Sequence, residues 1–178
     1  SVGRNHAANG KYLDGMQAAV VLINPKYPHN VAQVIRACAA YGVLDLRYTG
    51  DRMDRALRGF GRIPREERMK GYKTVTWKRT KEPFADFPRL TPVAIEVREN
   101  CESLPTFVHP ENALYVFGPE DGSLTGVTMR HCHRFVAIPT RHCINLSMAV
   151  GTVLYDRQAK FQPDLRIDMA ATEGRGHA

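Results

Sequence analysis

Residues 113–124 read Ala-Leu-Tyr-Val-Phe-Gly-Pro-Glu-Asp-Gly-Ser-Leu, and residues 135–147 read Phe-Val-Ala-Ile-Pro-Thr-Arg-His-Cys-Ile-Asn-Leu-Ser. Each stretch begins as a short apolar run and breaks into turn formers, at Gly118 in the first and Pro139 in the second, which is the pattern of a buried strand feeding a loop. In an open α/β sheet, ligands bind where loops leave the C-terminal ends of the strands. The two loops therefore read as two walls of one pocket.

Working outward, further apolar runs bounded by turn residues predict strands near Ala18–Ile23, Leu44–Tyr48, Thr74–Trp77 and Pro92–Glu96, beside Ala113–Phe117 and Phe135–Ile138. Val31, Val34, Ile35, Cys38 and Ala39 follow helical spacing, with Asn30 as the expected N-cap and Gly42 just past the end. Leu146, Ala149, Val150, Val153 and Leu154 repeat the spacing in a last helix, whose wide apolar face should pack on the sheet or on a partner subunit. Strands alternating with helices predict one mainly parallel, six-stranded α/β sheet flanked by helices. The domain is expected over residues 16–161, after a polar N-terminal segment and before a tail from about Gln162 whose Gly, Ala and charge content assigns no element.

With 178 residues and 43% hydrophobic content the chain can bury one substantial core. Its longest aliphatic run, Ala18–Ile23, is far short of a bilayer span, and the polar start lacks the apolar centre of a signal peptide, so a cytoplasmic protein with no membrane partner is expected. Cys38, Cys101, Cys132 and Cys143 include no CxxC pair, and the histidines of His131-Cys132-His133 and His142-Cys143 lack regular zinc spacing. No metal is expected.

The net charge of +7 is unevenly placed. Between Arg47 and Lys81, 12 Lys or Arg stand against 4 Asp or Glu, whereas the rest of the chain carries 13 against 14. This segment reads as a long, partly helical excursion in which Arg58, Arg62, Arg65 and Arg68 are interleaved with Phe60, Tyr72 and Trp77, a mixture suited to phosphates and unstacked bases. The plain alternative is a solvated loop that serves solubility.

Three signatures then fall in order: Asn30 followed six residues later by Arg36; Phe117-Gly118-Pro119-Glu120-Asp121-Gly122-Ser123-Leu124; and Ile138-Pro139 followed by Cys143-Ile144-Asn145-Leu146-Ser147. Together they resemble the SpoU (TrmH-type) branch of the knotted RNA ribose methyltransferases, with Cys143 where that family commonly has serine. The resemblance implies a C-terminal trefoil knot that binds S-adenosylmethionine and releases S-adenosylhomocysteine. By it, Ile95, Glu96, Gly118, Ile138, Cys143 and Leu146 are the expected cofactor contacts, and Arg36, Asn30, Glu120, Asn145 and Ser147 the expected catalytic set. It further implies a homodimer that methylates a ribose 2′-hydroxyl of RNA, transfer RNA before ribosomal RNA. The alternative is a non-catalytic RNA-binding protein that keeps the knotted fold. For Arg36 two roles stay open. A guanidinium gives up a proton reluctantly, which favours a grip on phosphate or ribose and stabilisation of the developing oxyanion over action as a base.

Overall fold

The computed structural model describes residues 15–60 and 73–166. Seven strands, β1 Ala18–Leu22, β2 Asp45–Tyr48, β3 Thr76–Arg79, β4 Thr91–Ile95, β5 Glu102–Ser103, β6 Ala113–Phe117 and β7 Arg134–Ala137, form one sheet in the order β3-β2-β1-β6-β4-β7-β5. Every pairing is parallel. The seventh strand corrects the expected six. β5 is a two-residue exposed edge of Glu and Ser, so it has no apolar run by which to be recognised.

Parallel strands buried on both faces read as near-continuous apolar runs, and β6 is buried along its whole length. Tyr115 and Phe117 point into one core layer with Val20 and Leu22, while Leu114 and Val116 point into the other with Ala19 and Val21. The first layer is covered by α1, Pro28–Ala40, and α5, Leu146–Phe161, through Val31, Val34, Ile35, Val150, Val153 and Leu154. Short helices α3, Pro83–Asp86, and α4, Gly126–Met129, flank the second, which takes in Phe87, Leu90, Leu124 and Cys132. Full burial of each such Val, Leu or Phe is worth about 1.5–3 kcal/mol. The apolar stripe of α5 is therefore spent inside its own chain rather than on a partner.

α1 begins earlier than the sequence suggests. Tyr27 occupies the N-cap in an extended conformation with no side-chain cap, and Pro28 starts the helix, where its missing N–H and fixed φ cost nothing. Asn30 is thus in the first turn with its side chain turned inward, 3% exposed, not at the cap. The expected stop holds: Gly42 has φ +71°, its N–H donates to the Ala39 carbonyl, and the Val43 N–H reaches Cys38, closing a Schellman motif.

The described part of the basic stretch is more built-in than its charge implied. Arg47 is buried in β2, donating to the Leu46 and Thr76 carbonyls and to Asp45. On α2, Arg52–Phe60, Arg55 pairs with Asp51, and Arg79 of β3 pairs with Asp54. Trp77 packs on Tyr48, with ring centroids 5.7 Å apart, and joins the core edge instead of facing solvent. Its strand lies two residues later than expected, because the register is set by pairing of Leu46 with Trp77.

A polar network pins α5 to the chain before β6. Arg157, 1% exposed, donates to the carbonyls of Pro110 and Glu111 and to the Tyr115 hydroxyl. Tyr115 has one proton to give, and it goes to His109 Nδ1 at 2.6 Å; His109 Nε2–H then donates to Asp156 at 2.7 Å, which also pairs with Lys160. At His109 the network is satisfied with a neutral imidazole, while the buried Arg157 Nε has no hydrogen-bond partner. Burial holds His109 below the usual imidazole range, only partly offset by Asp156. Well above pH 6.5 the ring is neutral whether folded or not; as pH falls through that value, the unfolded chain takes up a proton that the folded chain resists, so stability drops. We expect the urea midpoint to fall between about pH 7.5 and about pH 5.5, and the fall to be smaller in His109→Gln. Equal losses in both proteins would place the sensitive group elsewhere.

Candidate active site

The direction of strand succession reverses between β1 and β6, which marks the C-terminal ends of these strands as a place where a ligand site can form. Register places these ends level: Leu22 opposes Phe117, Phe117 opposes Ile95, and Ile95 opposes Val136. Loop 118–125 is bound to the β1–α1 loop through one carboxylate. Glu120 Oε2 accepts from the Lys26 N–H at 2.8 Å, and Oε1 accepts from the Tyr27 N–H at 3.3 Å and from Asn30 Nδ2 at 3.0 Å.

Because a carboxylate only accepts, it fixes the polarity of everything beyond it. Asn30 must turn its amide nitrogen to Glu120, which leaves Oδ1 to accept from Asn145 Nδ2 at 3.0 Å. Asn145 must then present Oδ1 to Ser147, taking its N–H at 2.8 Å and its hydroxyl at 2.7 Å. Asn145 is the N-cap of α5, so capping and the site are one arrangement. With its proton committed to Asn145, the Ser147 oxygen keeps its lone pairs as acceptors.

Next to Glu120, Asp121 takes a bidentate pair from Arg52, both contacts 3.0 Å, and a longer one from Lys26 at 3.4 Å. Arg52 first, then Lys26, holds the Asp121 carboxyl below its ordinary range. Sequence reasoning passed over Asp121 as a turn residue; an acidic position next to Glu120 was the only signal. Neither its partner on α2 nor the one on the β1–α1 loop is near it in sequence.

Four of the five expected catalytic residues, Asn30, Glu120, Asn145 and Ser147, are thus brought together. Arg36 is not among them. Helix geometry explains it: six residues at about 100° each leave Arg36 about 120° around α1 from Asn30, not on the same face. It is exposed and makes no hydrogen bond or ion pair with any described residue.

Tyr27, His29, Asn30 and Glu120 form one wall of a cleft of about 450 Å³, and Cys143, Ile144, Asn145 and Leu146 form the other. That volume suits a ligand of drug or nucleoside size. The expected cofactor residues divide between this cleft and the strand ends behind it. Cys143 and Leu146 line the cleft, whereas Ile95, Gly118 and Ile138 are half-exposed at the ends of β4, β6 and β7. Glu96 is used within the chain, accepting from the Val97 N–H at 3.1 Å and the Leu124 N–H at 3.0 Å, which fixes the far end of loop 118–125. Of the expected RNA contacts, Arg58 is exposed on α2; Arg62, Arg65 and Arg68, with Tyr72, lie outside the described residues.

Gly118 separates a ligand requirement from a folding requirement. A Cβ there would meet the Leu124 N–H and side chain at 3.5–3.6 Å, ordinary contact, and nothing in the backbone demands glycine. Gly118→Ala should leave the melting temperature within about 2 °C. If a ligand approaches the main chain at this strand end, the same methyl group should weaken its binding roughly ten-fold or more by calorimetry. Unchanged binding would remove Gly118 from the pocket.

Among the described residues no three His, Cys, Asp or Glu side chains gather to hold a metal. His131 instead stacks on Phe84 at 4.4 Å, and Cys132 is buried. No described helix is long and apolar enough to cross a membrane.

The model of the SpoU rRNA methylase family matches residues 17–155. Among solved structures, the TrmH/SpoU tRNA modifying enzyme of A. aeolicus superposes with a TM-score of 0.70 at 21% identity, over 93% of this chain and 90% of that one. An AdoMet-bound rRNA methyltransferase from Sinorhizobium meliloti gives 0.64 at 17% identity; the match takes in 89% of this chain but spans 62% of the other. A structure described as giving insight into the 2-OH methylation of C/U34 on tRNA gives 0.64 at 19% identity, over 83% and 98% of the two chains. At these identities the likeness establishes the fold. No curated protein sequence matches the chain.

Proposed function

The chain belongs to the SpoU rRNA methylase family, and from that premise we propose that it methylates a ribose 2′-hydroxyl of RNA using S-adenosylmethionine, with transfer RNA the first substrate class to try and ribosomal RNA the second. The observation that carries this reading is the directed chain from Glu120 through Asn30 and Asn145 to Ser147 along the cleft. Solved relatives described as AdoMet-bound and as acting on tRNA support the choice of cofactor and substrate.

The residues present fit the cofactor. Half-exposed Ile95 and Ile138, Gly118 without a Cβ, and Cys143 and Leu146 in the cleft offer apolar surface and free backbone, and they would hold it. When bound, it supplies an electrophilic methyl group on a sulfonium. Cys143 stands where the family commonly has serine, so a side-chain hydroxyl contact is lost there while backbone contacts remain available. Glu120 is the anchor that sets the amide polarities. Ser147 Oγ, an acceptor, orients the ribose hydroxyl. Arg36 grips the adjacent phosphate and stabilises negative charge developing on the attacking oxygen. Arg58, exposed on α2, is a further phosphate contact, and the same role is assigned to Arg62, Arg65 and Arg68 from their charge.

The fold of this reading is knotted. β6 enters the sheet between β1 and β4, β7 follows on the far side of β4, and α5 then comes back against α1, an order consistent with the last segment threading a loop. The active form is a homodimer in the cytoplasm. Met148 and Tyr155 are exposed on α5, and Tyr155 meets Tyr41 edge-on at 6.5 Å, a small apolar patch across both helices. Light scattering should give about twice the 20.0 kDa chain mass, since stable interfaces bury more than about 1,200 Å²; a monomer active on RNA defeats the dimer.

The deciding experiment incubates the protein with S-adenosylmethionine and with bulk tRNA or rRNA, then analyses the nucleosides by mass spectrometry. A 2′-O-methylated nucleoside formed only with the protein is expected. Methylation confined to a base would refute the ribose assignment.

A further inference from the structure

Two rings at the lip of the cleft have no part in the chemistry above. Tyr27 is 40% exposed, and His29 lies beside it with centroids 5.6 Å apart and planes tilted by 31°. An exposed aromatic ring on a loop is ordinary by itself; this one is unusual in how its backbone is held. The Tyr27 N–H donates to Glu120, its carbonyl accepts from the N–H groups of Asn30 at 3.1 Å and Val31 at 3.3 Å, and Pro28 restricts it to extended geometry. The Tyr27 backbone is therefore fixed at the lip of the cleft, next to Glu120 and Asn30, and a planar ligand landing on the ring meets little backbone ordering cost.

Charge identifies the ligand. Lys26 Nζ lies 5.2 Å from the Tyr27 ring centroid, Arg36 is exposed further along α1, and Arg141 and His142 are exposed just before Cys143 on the opposite wall. A ring with cations on both sides matches a nucleobase flanked by phosphates better than an apolar protein segment. We propose that Tyr27, backed by His29, is the stacking platform for a base of the RNA strand that enters the cleft. The proposal rests on the RNA reading above and sharpens it. A base can lie on Tyr27 only if it has left its own stack, so the substrate is an unpaired nucleotide in a loop, bulge or end rather than one inside a duplex. Since every base has a π-face, the platform selects for an unpaired state with little regard to base identity.

Two probes separate stacking from charge: a labelled oligouridylate 12-mer, which carries bases and phosphates, and inorganic polyphosphate, which carries only charge. Loss of one base–aromatic stack lowers affinity roughly 5- to 150-fold. Tyr27→Ala should lose that much for oligouridylate and stay within about two-fold for polyphosphate, while Tyr27→Phe keeps the affinity for both. Melting temperature and circular dichroism, measured alongside, establish that the variants are folded. Unchanged oligouridylate affinity in Tyr27→Ala, or equal losses for both probes, overturns the platform. So does a change in light-scattering mass, which would make the ring a subunit contact. A protein that binds oligouridylate through Tyr27 yet transfers no methyl group leaves the platform standing and refutes the enzymatic reading alone.

Discussion

Arg36→Ala should slow methyl transfer by a factor of about 10² to 10⁴, the range for losing a group that moves a proton or stabilises a developing oxyanion. S-adenosylmethionine affinity should change by no more than a few-fold, because the residues that would hold the cofactor lie at the ends of β4, β6 and β7 and in loop 138–145, not on the exposed face of α1. The fold should be indifferent, since Arg36 has no partner among the described residues and is exposed; surface changes of this kind shift stability by about 0.5 kcal/mol at most. The finer probe is Arg36→Lys. Lysine preserves the charge but loses the planar fork, so poor rescue assigns bidentate grip of phosphate and ribose, and good rescue assigns charge alone. If the alanine variant turns over at nearly the parental rate, the residue is only a surface arginine and the catalytic reading of it fails.

The largest effect on stability should come from Arg157→Ala, at the opposite end of α5 from the site. The guanidinium is fully buried, satisfies the carbonyls of Pro110 and Glu111, donates to Tyr115 and lies 4.8 Å from the Phe161 ring centroid. Removing it leaves two carbonyl oxygens without a donor, at about 1–3 kcal/mol each, and opens a void besides. A loss of about 3–5 kcal/mol is expected, which at a urea slope of about 2 kcal/mol per M moves the midpoint down by roughly 2 M. Arg157→Lys should recover little, because one ammonium cannot span both carbonyls and the hydroxyl. A midpoint within about 0.3 M of the parent would mean that water takes over the bonds, and the network would then be of little consequence.

Arg157 also illustrates what a sequence hides. Its position in the last helix is amphipathically unremarkable, and nothing in residues 146–161 reveals that carbonyls 46 and 47 residues earlier are waiting for it. The same holds for His109, whose partners come from a strand and a helix.

By itself the sequence determined the α/β class, the parallel sheet, five of the seven strands to within about a residue at each end, the buried faces of α1 and α5, and two of the three chain segments that line the cleft. These are local properties: apolar period, turn chemistry and helix stops act over a few residues, so they can be read in order along the chain. The three signatures named the family because each also lies within a short stretch of sequence. Tertiary structure alone decided the rest. It added β5, which pairs through its backbone and carries no apolar signal, and moved β3 to the register its neighbour imposed. It turned Asn30 from an expected cap into a buried relay between Glu120 and Asn145, two residues 90 and 115 positions away. It placed Arg36 outside that relay and committed Arg47, Arg52 and Trp77 of the basic stretch to structure. Hydrogen-bond partners and ion pairs are chosen by proximity in space, and no periodicity along a chain encodes which distant group a polar side chain will meet.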